Sequence, residues 1–400
     1  MNRAGLAVAF AFAVMATVPA HAELVIRIGV LNDRSGPYSD LAGEGSVVAA
    51  RLAVEDFKPA TRGMTVEILA ADHQNKPDVG VSIARQWIDV DRVDVIADLP
   101  TSSVALAVNQ VVREKNRILL ASGAGTSELT GKACSPNTVQ WTYDSWAAVN
   151  GVVTGLVKQG SDTWFFLTAD YAYGTAAQAD ATAAIGRVGG RVVGAVRTPF
   201  PTTDFSAYLL QAQHSGAKVI GLANAGPDTV NAIKQAGEFG IAKGSQKIVA
   251  MLMFVNDVRA LGLDVAQGLT FTTATYWDLN KETRAFAGRF GARMKGQMPN
   301  EAPMGVYSSV MHYLTAVAAI GSKEPGAVMR KMKDTPINDP FFGQGRIRED
   351  GRAIHPMYLM EAKKPQESSS SWDLLKVVAT IPAEQAFRPL EEGGCPLIVR

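Results

Sequence analysis

Leu24-Val25-Ile26-Arg27-Ile28-Gly29-Val30-Leu31, followed at once by Asn32-Asp33-Arg34-Ser35-Gly36-Pro37-Tyr38-Ser39-Asp40, decides the fold class. The first run is mostly β-branched and aliphatic, the composition of a strand buried in a parallel sheet. The second gathers turn formers around an arginine and a tyrosine. Leu41, Val48, Leu52 and Phe57 then recur at roughly helical spacing. Strand, loop and helix in this order open an α/β sheet, in which ligands bind outside the carboxyl ends of the strands. The loop therefore marks Arg34 and Tyr38 as candidate binding residues.

Upstream of this unit the chain reads as a leader. Arg3 supplies positive charge, Gly5 to Val18 is a run of small and medium apolar residues, and Ala20-His21-Ala22 fits the small-x-small cleavage rule. The apolar run is short for a membrane span, which needs about 20 residues. Residues 1–22 are thus expected to be a signal peptide; the rival reading, a signal anchor, would keep the protein tethered. The residue directly after the cleavage site is Glu23, not a cysteine that could carry a lipid.

The remaining chain is long enough for two domains. The 39 basic and 38 acidic residues nearly cancel, and no basic stripe stands out, so nucleic acid is not an expected partner. Cys134 and Cys395 are the only cysteines. In an oxidising compartment they are expected to pair, closing a very long loop worth roughly 5 kcal/mol in the chain-entropy model; the alternative is two free thiols.

Short apolar runs alternate with amphipathic ones, the pattern of parallel α/β units. One series comprises Ile26–Leu31, Thr65–Ala70, Val93–Ala97 and Arg117–Ala121. A second comprises Trp164–Thr168, Arg191–Val196, Lys218–Ala223, Lys247–Met251 and Gly268–Thr273. Val139-Gln140-Trp141-Thr142-Tyr143 lies between them as a candidate crossing strand. After Thr273 helices are expected over Asn280–Lys295 and Pro303–Ile320, then a late strand pair, Met357–Glu361 and Asp373–Thr380.

The loops at the strand ends carry the remaining candidates. Ser102 and Ser103 stand where the helix from Val104 begins; they are either ordinary caps or part of an anion site at the free N–H groups of its first turn. Gly123-Ala124-Gly125-Thr126 ends the next strand, and its glycines allow a ligand close to the backbone. Tyr173, Asn224 and Phe254 occupy equivalent loops in the second series, and Trp277 falls where the chain should leave it. No Gly-x-Ser-x-Gly elbow and no His-Glu-x-x-His helix occurs. The histidines show no metal-ligand spacing, so neither a metal nor a cofactor is implied.

Taken in order, Ile28-Gly29-Val30-Leu31 with Ser35-Gly36-Pro37-Tyr38, Ala49 to Phe57, Thr101-Ser102-Ser103, Gly123 to Thr130, Asp170-Tyr171-Ala172-Tyr173-Gly174 and Thr203-Asp204-Phe205 carry a resemblance. The chain resembles the periplasmic substrate-binding proteins of ABC importers, in the leucine/isoleucine/valine-binding family. The resemblance implies a type I periplasmic binding fold, two parallel-sheet α/β lobes joined by a multi-strand hinge. It implies a first lobe from 23–142 and 276–355, a second from 143–275 and 356–384, and a C-terminal tail over 385–400. It also implies a periplasmic, monomeric receptor without enzymatic activity, closing on a small-molecule carboxylate and delivering it to an ABC permease in the inner membrane. The alternatives are a secreted enzyme acting on a small organic acid and a soluble ligand sensor.

By the same resemblance, a serine at the Ser102/Ser103 position and the Gly123–Thr126 backbone hold the ligand carboxylate. The tyrosine matching Tyr173 closes over it, and Tyr38 lines the entrance. Amino-acid receptors of the family add an acid in the second lobe, where this chain has Met253-Phe254-Val255 and no acid before Asp257. The departure favours an aromatic or other organic acid over an amino acid.

Overall fold

The computed structural model describes residues 24–241 and 244–398. The leader expected over residues 1–22 lies outside the described residues. Strands β1 (Leu24–Asn32), β2 (Met64–Asp72), β3 (Val95–Asp98), β4 (Ile118–Ala121) and β5 (Thr138–Gln140) form one parallel sheet in the order β2-β1-β3-β4-β5. Its two faces are read directly from residue alternation. Val95, Ala97, Ile118 and Leu120 join the core containing helices α1 (Gly43–Phe57) and α11 (Glu301–Ile320). Ile96, Leu119 and Ala121 join the core containing α2 (Pro77–Asp89) and α3 (Ser102–Glu114).

The second parallel sheet has strands β6 (Thr163–Ala169), β7 (Arg191–Thr198), β8 (Val219–Ala223) and β9 (Lys247–Ala250) in the order β7-β6-β8-β9. Helices α4 (Ser145–Lys158) and α5 (Ala172–Arg187) bury residues with Trp164 and Phe166 on one face. Helices α6 (Ser206–His214), α7 (Pro227–Glu238) and α8 (Val255–Leu261) do so with Phe165 and Leu167 on the other.

Both sheets reverse strand order next to their first strand, between β1 and β3 and between β6 and β8. Consecutive loops diverge there and leave a crevice at the carboxyl ends of the strands, the usual ligand position in such sheets. This topology places the loops carrying Tyr38 and Ser102, and those carrying Tyr173 and Asn224, at the two switch points.

Two expectations from the sequence need correction. Gly268–Thr273 is not another parallel strand. After the short helix α9 (Leu263–Ala266) it forms β10 (Thr270–Thr273), which pairs antiparallel with β14 (Met357–Ala362), itself paired with β15 (Leu375–Ile381). An apolar strand does not announce its partner, and here the returning hairpin supplies the edge. Val139–Tyr143 is also divided: its start belongs to β5, and only Trp141 onward runs towards α4. The expected later helices are present as α10 (Lys281–Arg293) and α11, with Pro303 in the first turn of α11. Helix α12 (Pro325–Asp334) then leads into a small antiparallel sheet of β11 (Ile337–Asp339), β12 (Gly343–Ile347) and β13 (Ala353–Ile354).

Trp141–Asp144 is gripped from the other direction by Arg352, which is fully buried. Its guanidinium donates to the carbonyls of Thr142 at 2.7 Å and Tyr143 at 3.0 Å, and lies 3.4 Å from the Asp144 carboxylate. Burial lowers the Arg352 pKa to about 10, so the group remains a cation at neutral pH. The guanidinium carbon sits over the Phe387 ring, 4.5 Å from its centroid. From Phe387 the tail continues through Arg388, which donates to the Ser127 carbonyl at 3.1 Å, to a disulfide between Cys395 and Cys134 with Cα atoms 5.6 Å apart.

Candidate ligand-binding cleft

The loops after β1, β3 and β4 meet those after β6, β8 and β9 around a small inner cavity. On the first-sheet side, Ser102 opens α3 and lines this cavity. Its Oγ accepts the Thr126 N–H at 3.1 Å, which leaves the hydroxyl proton available to a ligand. The carbonyls of the neighbouring loop are already engaged. Gln140 donates to Ala124 at 2.9 Å and Thr126 at 3.0 Å, and Tyr143 donates to Gly123 at 2.7 Å. The amides of Ala124 and Gly125 have no acceptor among the described residues. Free amide donors, a serine hydroxyl and the positive end of a helix at one spot favour an anion.

The turn leading into α3 is strained. Asp98 and Leu99 adopt φ values of 86° and 59°, a region that costs a non-glycine residue energy. The Asp98 carbonyl receives the amides of Ser122 and Gly123 at 3.1 and 3.4 Å, so the strained turn positions the glycine loop. Its carboxyl is buried beneath, accepts from Asn32 Nδ2 at 3.0 Å, and is pushed up to about 6 by desolvation. Nothing in the composition of this segment signals the strain.

Tyrosines close the cavity. Tyr173 lines it, is almost wholly buried, and its hydroxyl has no protein partner among the described residues. The ring lies so near Gly125 that a Cβ there would stand 2.8 Å from it. The Tyr38 and Tyr171 hydroxyls are hydrogen-bonded to each other, and both rings stack on Phe200, with centroids 5.5 and 4.3 Å from it. Gly226 has φ 60°, and a Cβ there would come within 3.2 Å of Tyr38; glycine lets that loop approach the ring. Tyr143 meets Phe254 edge-on at 5.6 Å.

Of the residues singled out from the sequence, Tyr38, Ser102, Gly123, Gly125, Tyr173 and Phe254 converge on the cavity. Ala124 and Thr126 stand behind it, holding Gln140 and Ser102 through their backbone groups. Ser103 is half-buried and does not line it. Asn224 is buried beside the lining residue Ala225, with its side-chain carbonyl taken by Thr229 at 2.7 Å and its Nδ2 without a partner among the described residues.

Two candidates lie elsewhere. The Arg34 guanidinium is ion-paired with Glu44 and its backbone amide donates to Asp72 at 3.0 Å, because the loop folds back on its own lobe before it reaches Tyr38. Trp277 donates to the Trp372 carbonyl at 3.2 Å and packs on Tyr276, following β10 to the late hairpin. Tyr143, Tyr171, Pro100, Leu41 and Leu252 also line the cavity, though the sequence did not single them out. Tyr171 caps α5 two residues before Tyr173 in its first turn and was the most visible of these; the others have no local signal.

The acid expected in amino-acid receptors is absent from Met253–Val255, and Met253 packs into the second core. Asp257 accepts the Phe254 N–H at 2.9 Å, and burial raises its pKa to about 7. Asp228 accepts from the Thr202 amide at 3.1 Å, has one oxygen without a partner among the described residues, and is raised to about 6 by burial.

Two facing doubly wound sheets with an anion-favouring cleft between them define a bilobal binding protein. The chain belongs to the periplasmic binding protein family, whose model matches residues 25–368. It is 25% identical over 365 residues to a Leu/Ile/Val-binding protein homolog of Brucella melitensis, covering 89% of this chain and 92% of that one. A periplasmic binding protein from Burkholderia mallei is 47% identical, with TM-score 0.90 over 94% of this chain and 99% of its own. A branched-chain amino acid ABC transporter periplasmic ligand-binding protein from Burkholderia xenovorans is 42% identical, with TM-score 0.83 over 93% and 99%. A solute-binding protein of Rhodopseudomonas palustris, solved with 4-hydroxybenzoate, shares the fold at 23% identity and TM-score 0.81 over 91% and 98%. Among the described residues, no helix is long and apolar enough to cross a membrane.

Proposed function

We propose that this chain is a periplasmic receptor that captures a small carboxylate, with an aromatic or other organic acid favoured over an amino acid, and delivers it to an ABC permease. The observation that carries the reading is the Ser102 hydroxyl proton beside the Gly125 amide, which has no acceptor among the described residues; both residues line a cavity also walled by tyrosine and phenylalanine rings. A carboxylate satisfies the donors and an aromatic body packs on the rings. The 4-hydroxybenzoate complex of the Rhodopseudomonas protein supports this class of ligand, as does the absence of an acid at Met253–Val255.

Capture works by closure. The ligand binds the Ser102 side first, and the closed arrangement is selected because only there do Tyr173 and Phe254 also reach it. A receptor returns its ligand unchanged, whereas an enzyme on the same site would convert it. Native mass spectrometry of gently purified protein, with a thermal-shift panel of branched-chain amino acids, benzoate- and cinnamate-type acids and short aliphatic acids, tests the reading. Stabilisation by leucine or valine and by none of the other acids would overturn the preferred ligand class. Recovery of a converted compound would overturn the receptor.

A further inference from the structure

Helix α5 touches the glycine loop of the anion site at two points. Tyr173, in its first turn, lies against Gly125. Asp180 follows seven residues later and so falls on the same face of the helix. It is half-buried and receives the Ser127 hydroxyl at 2.8 Å; the same oxygen receives the Ser145 hydroxyl at 2.5 Å. With its proton committed there, Ser145 Oγ turns a lone pair to the Ser127 amide, which donates to it at 3.2 Å. Arg388 completes the set from the tail: it donates to the Ser127 carbonyl at 3.1 Å, and its charge favours the ionised form of Asp180. The hydroxyl, amide and carbonyl of Ser127 are thus all held, the first two by helices of the second sheet. Next to Ser127 stands Thr126, whose amide donates to Ser102 Oγ at 3.1 Å. That bond restricts where the Ser102 hydroxyl proton can point. A continuous path of bonds therefore joins Asp180 to Ser102, although Asp180 does not line the cavity.

We propose that Asp180 is a positioning residue for ligand capture: on closure it fixes the Gly125–Ser127 loop and, through Thr126, aims the Ser102 hydroxyl at the ligand carboxylate. The inference rests on the carboxylate reading above and deepens it. The contact runs from a helix of the second sheet to a loop of the first, so it forms on closing and not on first encounter. Its effect falls on release of the ligand. Because Asp180 shares α5 with Tyr173, one movement of that helix brings the ring to the cavity and sets the anchor on the other side.

The test is stopped-flow fluorescence on the parent, Asp180→Ala, Asp180→Asn, Ser127→Ala and the double variant Asp180→Ala/Ser127→Ala. The probe is whichever of benzoate, 4-hydroxybenzoate, cinnamate and 3-methylbutanoate the parent binds most tightly, and melting without ligand confirms that each variant is folded. Asp180→Ala should raise koff about tenfold or more and leave kon within about twofold. Asp180→Asn, whose side-chain oxygen still accepts both hydroxyls, should stay within about threefold of the parent. Ser127→Ala should raise koff by about threefold or more, and the double variant no further than Asp180→Ala, because the two residues act through one contact. An unchanged koff in Asp180→Ala, a loss carried by kon, no recovery in Asp180→Asn, or additive effects in the double variant overturns the role of Asp180 and leaves the carboxylate reading standing. If Asp180→Ala does not fold, Ser127→Ala decides: a raised koff with unchanged kon supports the role, and an unchanged koff overturns it. Failure of the parent to bind any of the four acids overturns both readings.

Discussion

Ser127, in the loop after β4, donates its hydroxyl to the Asp180 carboxylate of α5 at 2.8 Å, tying the first sheet's loops to a helix of the second. Ser145, at the start of α4, donates to the same oxygen at 2.5 Å. Burial raises the Asp180 pKa, opposed by these two hydroxyls. Together with the Tyr38–Tyr171 hydroxyl pair and the Asn256–Asp40 contact, it brackets the cavity with polar links between the two sides. Closure here is made of specific hydrogen bonds around an aromatic centre, so single side chains and single glycines should matter to it.

Ser102→Ala removes a hydroxyl that is free to donate to an anion. A hydrogen bond to a charged group is worth about 1.5–3 kcal/mol, so affinity for the carboxylate ligand should fall by roughly one to two powers of ten. Ser103→Ala should leave affinity unchanged, since Ser103 does not line the cavity. Isothermal calorimetry on both variants checks this, and equal effects would return Ser102 to a capping role.

Gly125→Ala puts a methyl group 2.8 Å from the Tyr173 ring and 3.3 Å from that of Tyr143. Neither ring can yield easily, because both are buried. The expected outcome is a correctly folded protein whose affinity is about 5- to 150-fold weaker, since a clash of this size costs of order 1–3 kcal/mol. Circular dichroism and ligand titration read the two effects separately.

Stability should depend on pH through Glu301. This side chain is buried, accepts from Thr273 Oγ1 at 2.8 Å and from the Ala274 amide, and is pushed up to about 8 by desolvation. The native state therefore holds a proton that the unfolded chain, with an ordinary carboxyl near pH 4.3, has already lost. That stabilisation is present below the unfolded value and declines as pH rises towards about 8. Asp257, Asp98 and Asp228, raised to about 7, 6 and 6, act with the same sign over lower windows. Melting temperature should drop from about pH 6 to pH 8, and Glu301→Gln should flatten that slope. A variant that declines as steeply as its parent would sink the assignment.

Cys395→Ser releases the tail from Cys134 across a separation of 261 residues. The chain-entropy model sets an upper figure of about 5 kcal/mol for a loop of that size. The melting temperature should fall, and a reductant should lower the parent towards the variant without affecting the variant itself. A parent insensitive to reductant at its melting transition would show that the bridge contributes nothing.

Much of the fold was legible because parallel α/β units write themselves locally. The buried strand at Leu24–Leu31, the helix faces and the loop residues between them follow from composition and period alone. The same local signals pointed to Tyr38, Ser102, Gly125, Tyr173 and Phe254, since strand-end loops are where such sheets bind. The misses have one cause. Arg34 is turned aside by Glu44, Trp277 follows β10 to its hairpin, and Tyr143 reaches the cavity by hydrogen-bonding Gly123. Each depends on a partner distant in the chain or on the path of the backbone between them.

From the chain alone came the strand–loop–helix order, the loops able to bind and the pair of cysteines able to join, because these rest on neighbouring residues and on backbone preference. Folding in three dimensions settled which strands pair, which loops face each other across the cleft, and which polar atoms are left without partners. Arg352 shows why. Nothing near it in sequence hints that its charge will hold the carbonyls of Thr142 and Tyr143, since a buried cation is tolerated only when distant groups are brought to it.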